Sequence, residues 1–223
     1  MNRDGPAASP GAPGSVPELL ARYPVLRPPV STASAAVTIV LRSGSGDVET
    51  LLIERAANPN DPASGDVSLP GGHVDEEDGS LAVTALRELR EEVGLAASDL
   101  SGPLRFVGAT AAPRFGVKVG VFAAELSGSA GRPSAASPEE VAHVFWLPRR
   151  ALGESRPITR ESPTGPRRFF ASVHDGHVVW GFTRRVLREF FALPAEDAPE
   201  RPGVPSRLGS TGPGPWDDTR SGG

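Results

Sequence analysis

Apolar residues between positions 35 and 192 fall into short runs of two different periods. Ala36-Val37-Thr38-Ile39-Val40-Leu41 is apolar at nearly every position and predicts a buried strand. The turn Gly44-Ser45-Gly46-Asp47 separates it from Glu49-Thr50-Leu51-Leu52-Ile53-Glu54, its expected hairpin partner. A loop carrying Pro59, Pro62 and Gly65 then leads through Val67-Ser68-Leu69 to Pro70-Gly71-Gly72. Over residues 79–93 the period becomes helical, with Ala82, Ala85, Leu86, Leu89 and Val93 on one stripe. Asp78 or Ser80 suits the start of that helix, and Gly94 stands where a C′ glycine belongs. Strands are expected at 104–109, 117–125 and 143–147, with a Gly/Ser/Pro-rich loop over 126–138. Two more, at 167–172 and 177–180, flank the turn Asp175-Gly176. An amphipathic helix from Phe182 to Phe191 follows, its apolar face formed by Val186, Leu187, Phe190 and Phe191. Upstream, Ser15-Val16-Pro17-Glu18 fits a capping box, and a short helix runs to about Tyr23 before Arg27-Pro28-Pro29. This mixture predicts an α+β fold, a mixed sheet covered by helices on both faces.

Composition sharpens the boundaries. Gly 26 and Pro 24 exceed average usage, and the excess crowds into 1–33 and 195–223. We therefore expect a mostly disordered N-terminal tail over 1–33 that includes the short helix, a domain over 34–194, and a disordered C-terminal tail over 195–223 that contains Trp216. The absence of cysteine excludes disulfides, thiolate metal sites and cysteine nucleophiles. No apolar run is long enough to span a membrane, and the first residues lack the apolar core of a signal peptide. The cytoplasm is the expected compartment. A net charge of −4 without a dense basic patch argues against duplex nucleic acid as a partner, while a homodimer is compatible with the sequence.

Candidate chemistry centres on Glu88, Glu91 and Glu92, spaced i, i+3, i+4. At roughly 100° per residue they share an arc opposite most of the apolar stripe. Such a face is either solvated or neutralised by a hard divalent cation, Mg2+ or Mn2+. Arg87, four residues before Glu91, is placed to pair with it.

These residues resemble the Nudix box, G-x5-E-x7-R-E-U-x-E-E-x-G-U with U apolar. Its second half is complete in Arg87-Glu88-Leu89-Arg90-Glu91-Glu92-Val93-Gly94-Leu95. Six fixed residues, including Gly72, arise by chance with a probability on the order of 10⁻⁷ per start position. The first half departs from the pattern: Asp78 replaces the first Glu, and one extra residue precedes Arg87. The coenzyme A pyrophosphatase-like branch of the family is similar in both respects. Leu51-Leu52-Ile53-Glu54-Arg55 resembles that branch's LLxxR segment, and Val144–Pro148 and Trp180–Thr183 resemble its VFWVP and WGLT segments. In the run Ser64–Gly72, which resembles HxGxxxFPGG, Ser64 replaces His and Leu69 replaces Phe. The resemblance covers about residues 35–192.

The resemblance implies a Nudix-type α/β/α sandwich and hydrolysis of a nucleoside diphosphate joined to another group. It implies that Glu88, Glu91 and Glu92 are metal-binding and catalytic, that Gly72 lends its carbonyl to the metal, and that Arg87 positions a glutamate. A further glutamate beyond the box is implied as well; Glu140, with Glu139 in reserve, is the candidate. Coenzyme A is the leading substrate, and ADP-ribose or another nucleoside diphosphate derivative is the alternative. The proline that marks some ADP-ribose enzymes is represented only by Pro113, two residues late, with Ala111 in its place. A non-catalytic binding module is the remaining alternative, against which stand all three retained glutamates.

Around this centre, Arg55, Arg114 and His73 are candidate substrate contacts, arginine being the natural partner of a phosphate. Trp146 and Trp180 are expected in the core, and His174 and His177 on a hairpin surface.

Overall fold

A computed structural model describes residues 14–44, 46–59, 63–114, 116–160 and 165–196. The expected hairpin is formed by β1 (Ala35–Ser43) and β2 (Val48–Arg55), antiparallel from Leu41↔Thr50 to Ser43↔Val48. Beyond that turn the two strands part. β3 (Val67–Ser68) pairs the end of β2, and β4 (Gly71–His73) pairs the start of β1. The chain between them brings Pro70 to β1, where its carbonyl accepts the Thr38 N–H at 2.9 Å. Helix α2 (Leu81–Val93) follows, then β5 (Arg105–Ala112), β6 (Val117–Glu125) and β7 (Val141–Pro148). β6 runs parallel to β1, whereas β5 and β7 are antiparallel to β6 and β2. The seven-stranded sheet is therefore mixed.

β8 (Arg156–Arg160), β9 (Arg167–His174) and β10 (His177–Trp180) form a separate antiparallel sheet, which leads directly into α3 (Gly181–Phe190). β8 is absent from the pattern-based expectation for a physical reason. Its sequence Arg-Pro-Ile-Thr-Arg offers a single large aliphatic position, and Pro157 is tolerated because β8 is an edge strand. β3 and β4 are too short and too glycine-rich to show alternation.

Strand alternation sorts the core into two layers. Ala36, Val40, Leu51 and Ile53 face α2 through Leu81, Ala85, Leu89 and Val93. Ile39, Leu41, Leu52 and Leu147 face the opposite way, against α3 and a short N-terminal helix, α1 (Val16–Leu20). The result is the α+β sandwich with helices on both faces. Ser15 and Glu18 form the expected capping box.

α1 is more than a tail element. Val16, Leu19 and Leu20 are buried in the core, and Tyr23 stacks on Phe190 with centroids 5.3 Å apart. At the other end Glu196 joins a buried network: Arg184 donates to it at 2.5 Å and to Ser172 at 3.0 Å, and Arg188 lies 3.2 Å from it. The packed chain thus extends at least from Val16 to Glu196, past the boundaries expected at 34 and 194. Trp216 and the outer parts of the expected tails, residues 1–13 of 1–33 and 197–223 of 195–223, lie outside the described residues. No helix among the described residues is long and apolar enough to cross a membrane.

This packing gives a first prediction. Deleting residues 1–13 and 197–223, which are poor in apolar residues, should move Tm by no more than about 2 °C. Extending the N-terminal deletion through residue 33 removes four packed side chains worth about 1.5–3 kcal/mol each. At roughly 2–4 °C per kcal/mol, Tm should then fall by more than about 10 °C. Differential scanning calorimetry of the two truncations distinguishes a docked α1 from a dispensable one.

Candidate active site

The C-terminal half of α2 and the turn between β3 and β4 form the centre of the site. Gly94 ends the helix in the left-handed conformation, φ 72°, that favours glycine. The carbonyls at a helix end lack intrahelical donors, and here the loop after β6 supplies them. Ser134 N–H donates to Val93 (3.3 Å), Ala136 N–H to Glu92 (3.0 Å) and the Ser137 hydroxyl to the Glu91 carbonyl (2.7 Å). The same loop delivers Glu140, whose carbonyl accepts the Ala56 N–H at 2.8 Å beside the end of β2. The charge of Glu140 disfavours ionisation of both Glu88 and Glu92.

Arg87 organises the carboxylates. Its guanidinium donates to Asp78 (3.0 Å), Glu88 (2.9 Å), Glu91 (2.9 Å) and the His73 carbonyl (2.9 Å). The Asp78 hydrogen bond leads the causes that raise the Arg87 pKa. Burial opposes ionisation of Asp78, but hydrogen bonds from Arg87, the Asp75 N–H and Thr84, with Arg87's charge, hold its carboxyl below its usual value. Asp78 therefore does not cap α2. Ser80 occupies the N-cap position without a side-chain hydrogen bond. The shorter acid of the variant box grips Arg87.

The three glutamates differ in environment. The Glu91 side chain is 52% exposed. Glu88 is mostly covered, and burial raises its pKa. Glu92 is 2% exposed, where the sequence put it on the polar face away from the apolar stripe. The cause is the Pro70–Gly72 turn, which β1 holds against this part of the helix; Gly71 N–H donates to Glu92 Oε2 at 2.8 Å. Gly71 is required by its close approach to the β1 backbone, and a side chain at Gly72 would displace the Glu88 carboxylate. A Cβ on Gly71, at φ 150°, would lie 2.2 Å from the Ala36 carbonyl oxygen, and one on Gly72 would lie 2.5 Å from Glu88 Oε1.

Burial pushes the Glu92 pKa up to about 8; the Gly71 N–H and Arg55 oppose this rise, and Glu88 and Glu140 add to it. Among the described residues no three carboxylate or imidazole groups already converge as a closed metal cage. The donor chemistry nevertheless fits a hard divalent cation: oxygen ligands only, on a buried acid that is costly to ionise without a nearby positive charge.

The remaining candidates are distributed unevenly. Arg55 is close enough for its charge to favour ionised Glu92. The His73 side chain is exposed, and its backbone carbonyl makes the link to Arg87. Arg114 pairs with Asp66 at 2.5 Å. The expected core positions of both tryptophans are corrected, since each is only partly buried. Trp146 packs on the α2-side core but lies under Arg42, 4.0 Å from its ring centroid. The Trp180 indole N–H donates to Asp66 at 3.1 Å, with Arg114 and Arg160 against the ring. An indole N–H needs an acceptor, and Asp66, just before β3, provides it. His177 also leaves the hairpin surface expected for it: it pairs with Glu54 at 2.7 Å and stacks on Phe145 at 3.9 Å. Asp66, Arg160 and Glu54 carry no local sequence signal for these contacts, because each partner is set by tertiary packing.

The model of the NUDIX domain family matches residues 32–171. A curated relative from Cronobacter sakazakii, described as an uncharacterized Nudix hydrolase NudL, is 33% identical over 190 residues, covering 80% of this chain and 94% of the relative. A NudL from Escherichia coli O1:K1 / APEC is 30% identical over 184 residues, covering 77% and 91%. Among solved structures, a MutT/nudix family protein from Enterococcus faecalis is similar with a TM-score of 0.47 and 16% identity, covering 80% of this chain and 68% of that one. A NUDIX hydrolase from Alicyclobacillus acidocaldarius has a TM-score of 0.42 and 24% identity, covering 53% and 79%. With the family model spanning more than half of its length and a relative one-third identical over four-fifths of it, the chain belongs to the Nudix hydrolases, enzymes that act on pyrophosphate bonds and generally use divalent cations such as Mg2+ or Mn2+.

Proposed function

We propose that this chain hydrolyses coenzyme A or a derivative to 3′,5′-ADP and 4′-phosphopantetheine. Glu88, Glu91, Glu92 and the Gly72 carbonyl would hold the Mg2+ or Mn2+. When bound, the cation neutralises the anionic diphosphate and eases deprotonation of water. The chain's own groups arrange the rest. Gly71 N–H holds one oxygen of the buried Glu92 carboxylate. Arg87, anchored by Asp78 and the His73 carbonyl, fixes the separation of Glu88 and Glu91. Water adds to one phosphorus in line with the bridging oxygen, the P–O–P linkage breaks, and a carboxylate takes the proton from water. Glu140 is our candidate for that base, because its charge acts on the cluster from a loop outside α2.

The observation that carries the coenzyme A reading is the Asp78–Arg87 clamp at 3.0 Å. The variant half of the box, which resembles the coenzyme A branch, forms part of the carboxylate cluster's support. A substrate panel with Mg2+ and Mn2+, products identified by mass, tests the reading. Coenzyme A should be cleaved with a higher kcat/KM than ADP-ribose. Faster cleavage of ADP-ribose would overturn the substrate and leave the diphosphate chemistry standing.

A further inference from the structure

Trp180, at the end of β10, carries two guanidinium groups. The Arg114 carbon Cζ lies 5.3 Å from the ring centroid, and that of Arg160 lies at the same distance. The ring is fixed on two sides: its N–H donates to Asp66 Oδ1 at 3.1 Å, and Phe169 packs against it at 5.1 Å. The other Asp66 oxygen pairs with Arg114. Across the β8–β9 ladder, Arg160 stands opposite Arg167. Two cations from separate elements, Arg114 after β5 and Arg160 at the end of β8, are thus gathered on one aromatic ring beside the Asp66 carboxylate. Guanidinium groups set side by side favour an anion between them, and their forks match phosphate geometry.

The cluster adjoins the hydrolytic centre. The Asp66 carbonyl accepts the Arg55 N–H at 3.0 Å, and Arg55 is the residue whose charge favours ionised Glu92. Asp66 precedes Gly71 by five residues, which span at most roughly 17 Å of extended chain. One substrate molecule can reach both places.

We propose that Trp180 is a positioning residue that holds Arg114 and Arg160 as a receptor for a phosphate group of the substrate outside the scissile diphosphate. This rests on the diphosphatase reading above and deepens it. The diphosphate is common to coenzyme A and ADP-ribose, so the box carboxylates cannot tell them apart. A phosphomonoester carried by one and not the other can be read only by cations set away from the box.

Coenzyme A and dephospho-coenzyme A differ by that one phosphate and form the test pair, with the full chain and saturating Mg2+. The wild type should favour coenzyme A by about 10-fold or more in kcat/KM, mainly through KM; a bidentate arginine–phosphate contact is worth about that much. Arg160→Ala should remove most of the preference. Trp180→Leu should remove it too, and Trp180→Phe, which keeps a ring for the guanidinium groups, should restore part of it. Equal kcat/KM values in the wild type, or an undiminished preference in Arg160→Ala, overturn the proposal. Calorimetric titration in chelator separates it from the diphosphatase reading. The wild type should bind 3′,5′-ADP at least about 10-fold more tightly than 5′-AMP, and Arg160→Ala should not, whether or not the chain hydrolyses either coenzyme. Inorganic phosphate binding as tightly as 3′,5′-ADP would make the receptor a free-phosphate site and overturn its assignment to substrate.

Discussion

Glu91→Gln and Glu92→Gln should each lower turnover by on the order of 100-fold or more at saturating divalent cation, with the fold intact. Both replacements keep side-chain length and remove one charge. Glu91 is half exposed, so its neutral form creates no cavity, though it gives up the charge in its 2.9 Å pair with Arg87. Glu92 is buried, but glutamine retains a carbonyl oxygen to accept the Gly71 N–H. Glu88→Gln is a less clean probe, because Glu88 both contacts Arg87 and closes against Gly72. Steady-state kinetics together with circular dichroism decide the matter. Either glutamine variant turning over near the wild-type rate would remove that residue from the hydrolytic centre.

Without divalent cation, the protein should lose stability as pH rises from about 4.5 towards 8, the interval between the ordinary Glu92 pKa and its raised value. A carboxyl whose folded pKa is raised contributes stability that is fully present below its unfolded pKa and is lost as pH climbs through the folded one. Burial raises Glu88 in the same direction. Asp78 acts with the opposite sign, its carboxyl being held below 3.8, so its contribution is lost only in acid below this interval. A tenfold change in the acidity of one group is worth about 1.4 kcal/mol, and each kcal/mol moves Tm by roughly 2–4 °C in a chain of this size. The fall in chelator should therefore be on the order of 10–20 °C. Glu92→Gln should flatten the profile and exceed the wild type in metal-free Tm at pH 8, and Mg2+ should raise the wild type towards it. A metal-free wild-type profile matching that of Glu92→Gln would mean that Glu92 ionises without penalty where it sits.

Most of this frame is legible along the chain because period and packing agree. β1, β2, β6 and α2 each bury the face that their pattern marks. The box helix starts within two residues of its expected position, and Gly94 ends it as expected. What escapes the pattern is set by distant contacts. α1 offers three buried apolar positions between prolines and resembles a tail until Phe190 is brought to Tyr23. A helical wheel places Glu92 with Glu88 and Glu91, but it cannot show that β1 will hold Pro70 over one of the three. The apolar surroundings of Trp180 in sequence suggest core, whereas its indole N–H bonds an acid 114 positions away. Spacing can locate the carboxylates; their unequal burial arises from the sheet.

The most direct test of the α2 carboxylates as the divalent-cation centre is calorimetric titration of Mn2+ into the full-length wild type and into Glu92→Gln at pH 8. The wild type should show a saturable site, with proton release on binding because Glu92 is partly protonated at that pH. In Glu92→Gln the affinity should be weakened by about 10-fold or more, with the proton release gone. Equal affinity and equal proton release in the two proteins would contradict a cation centre built on Glu92.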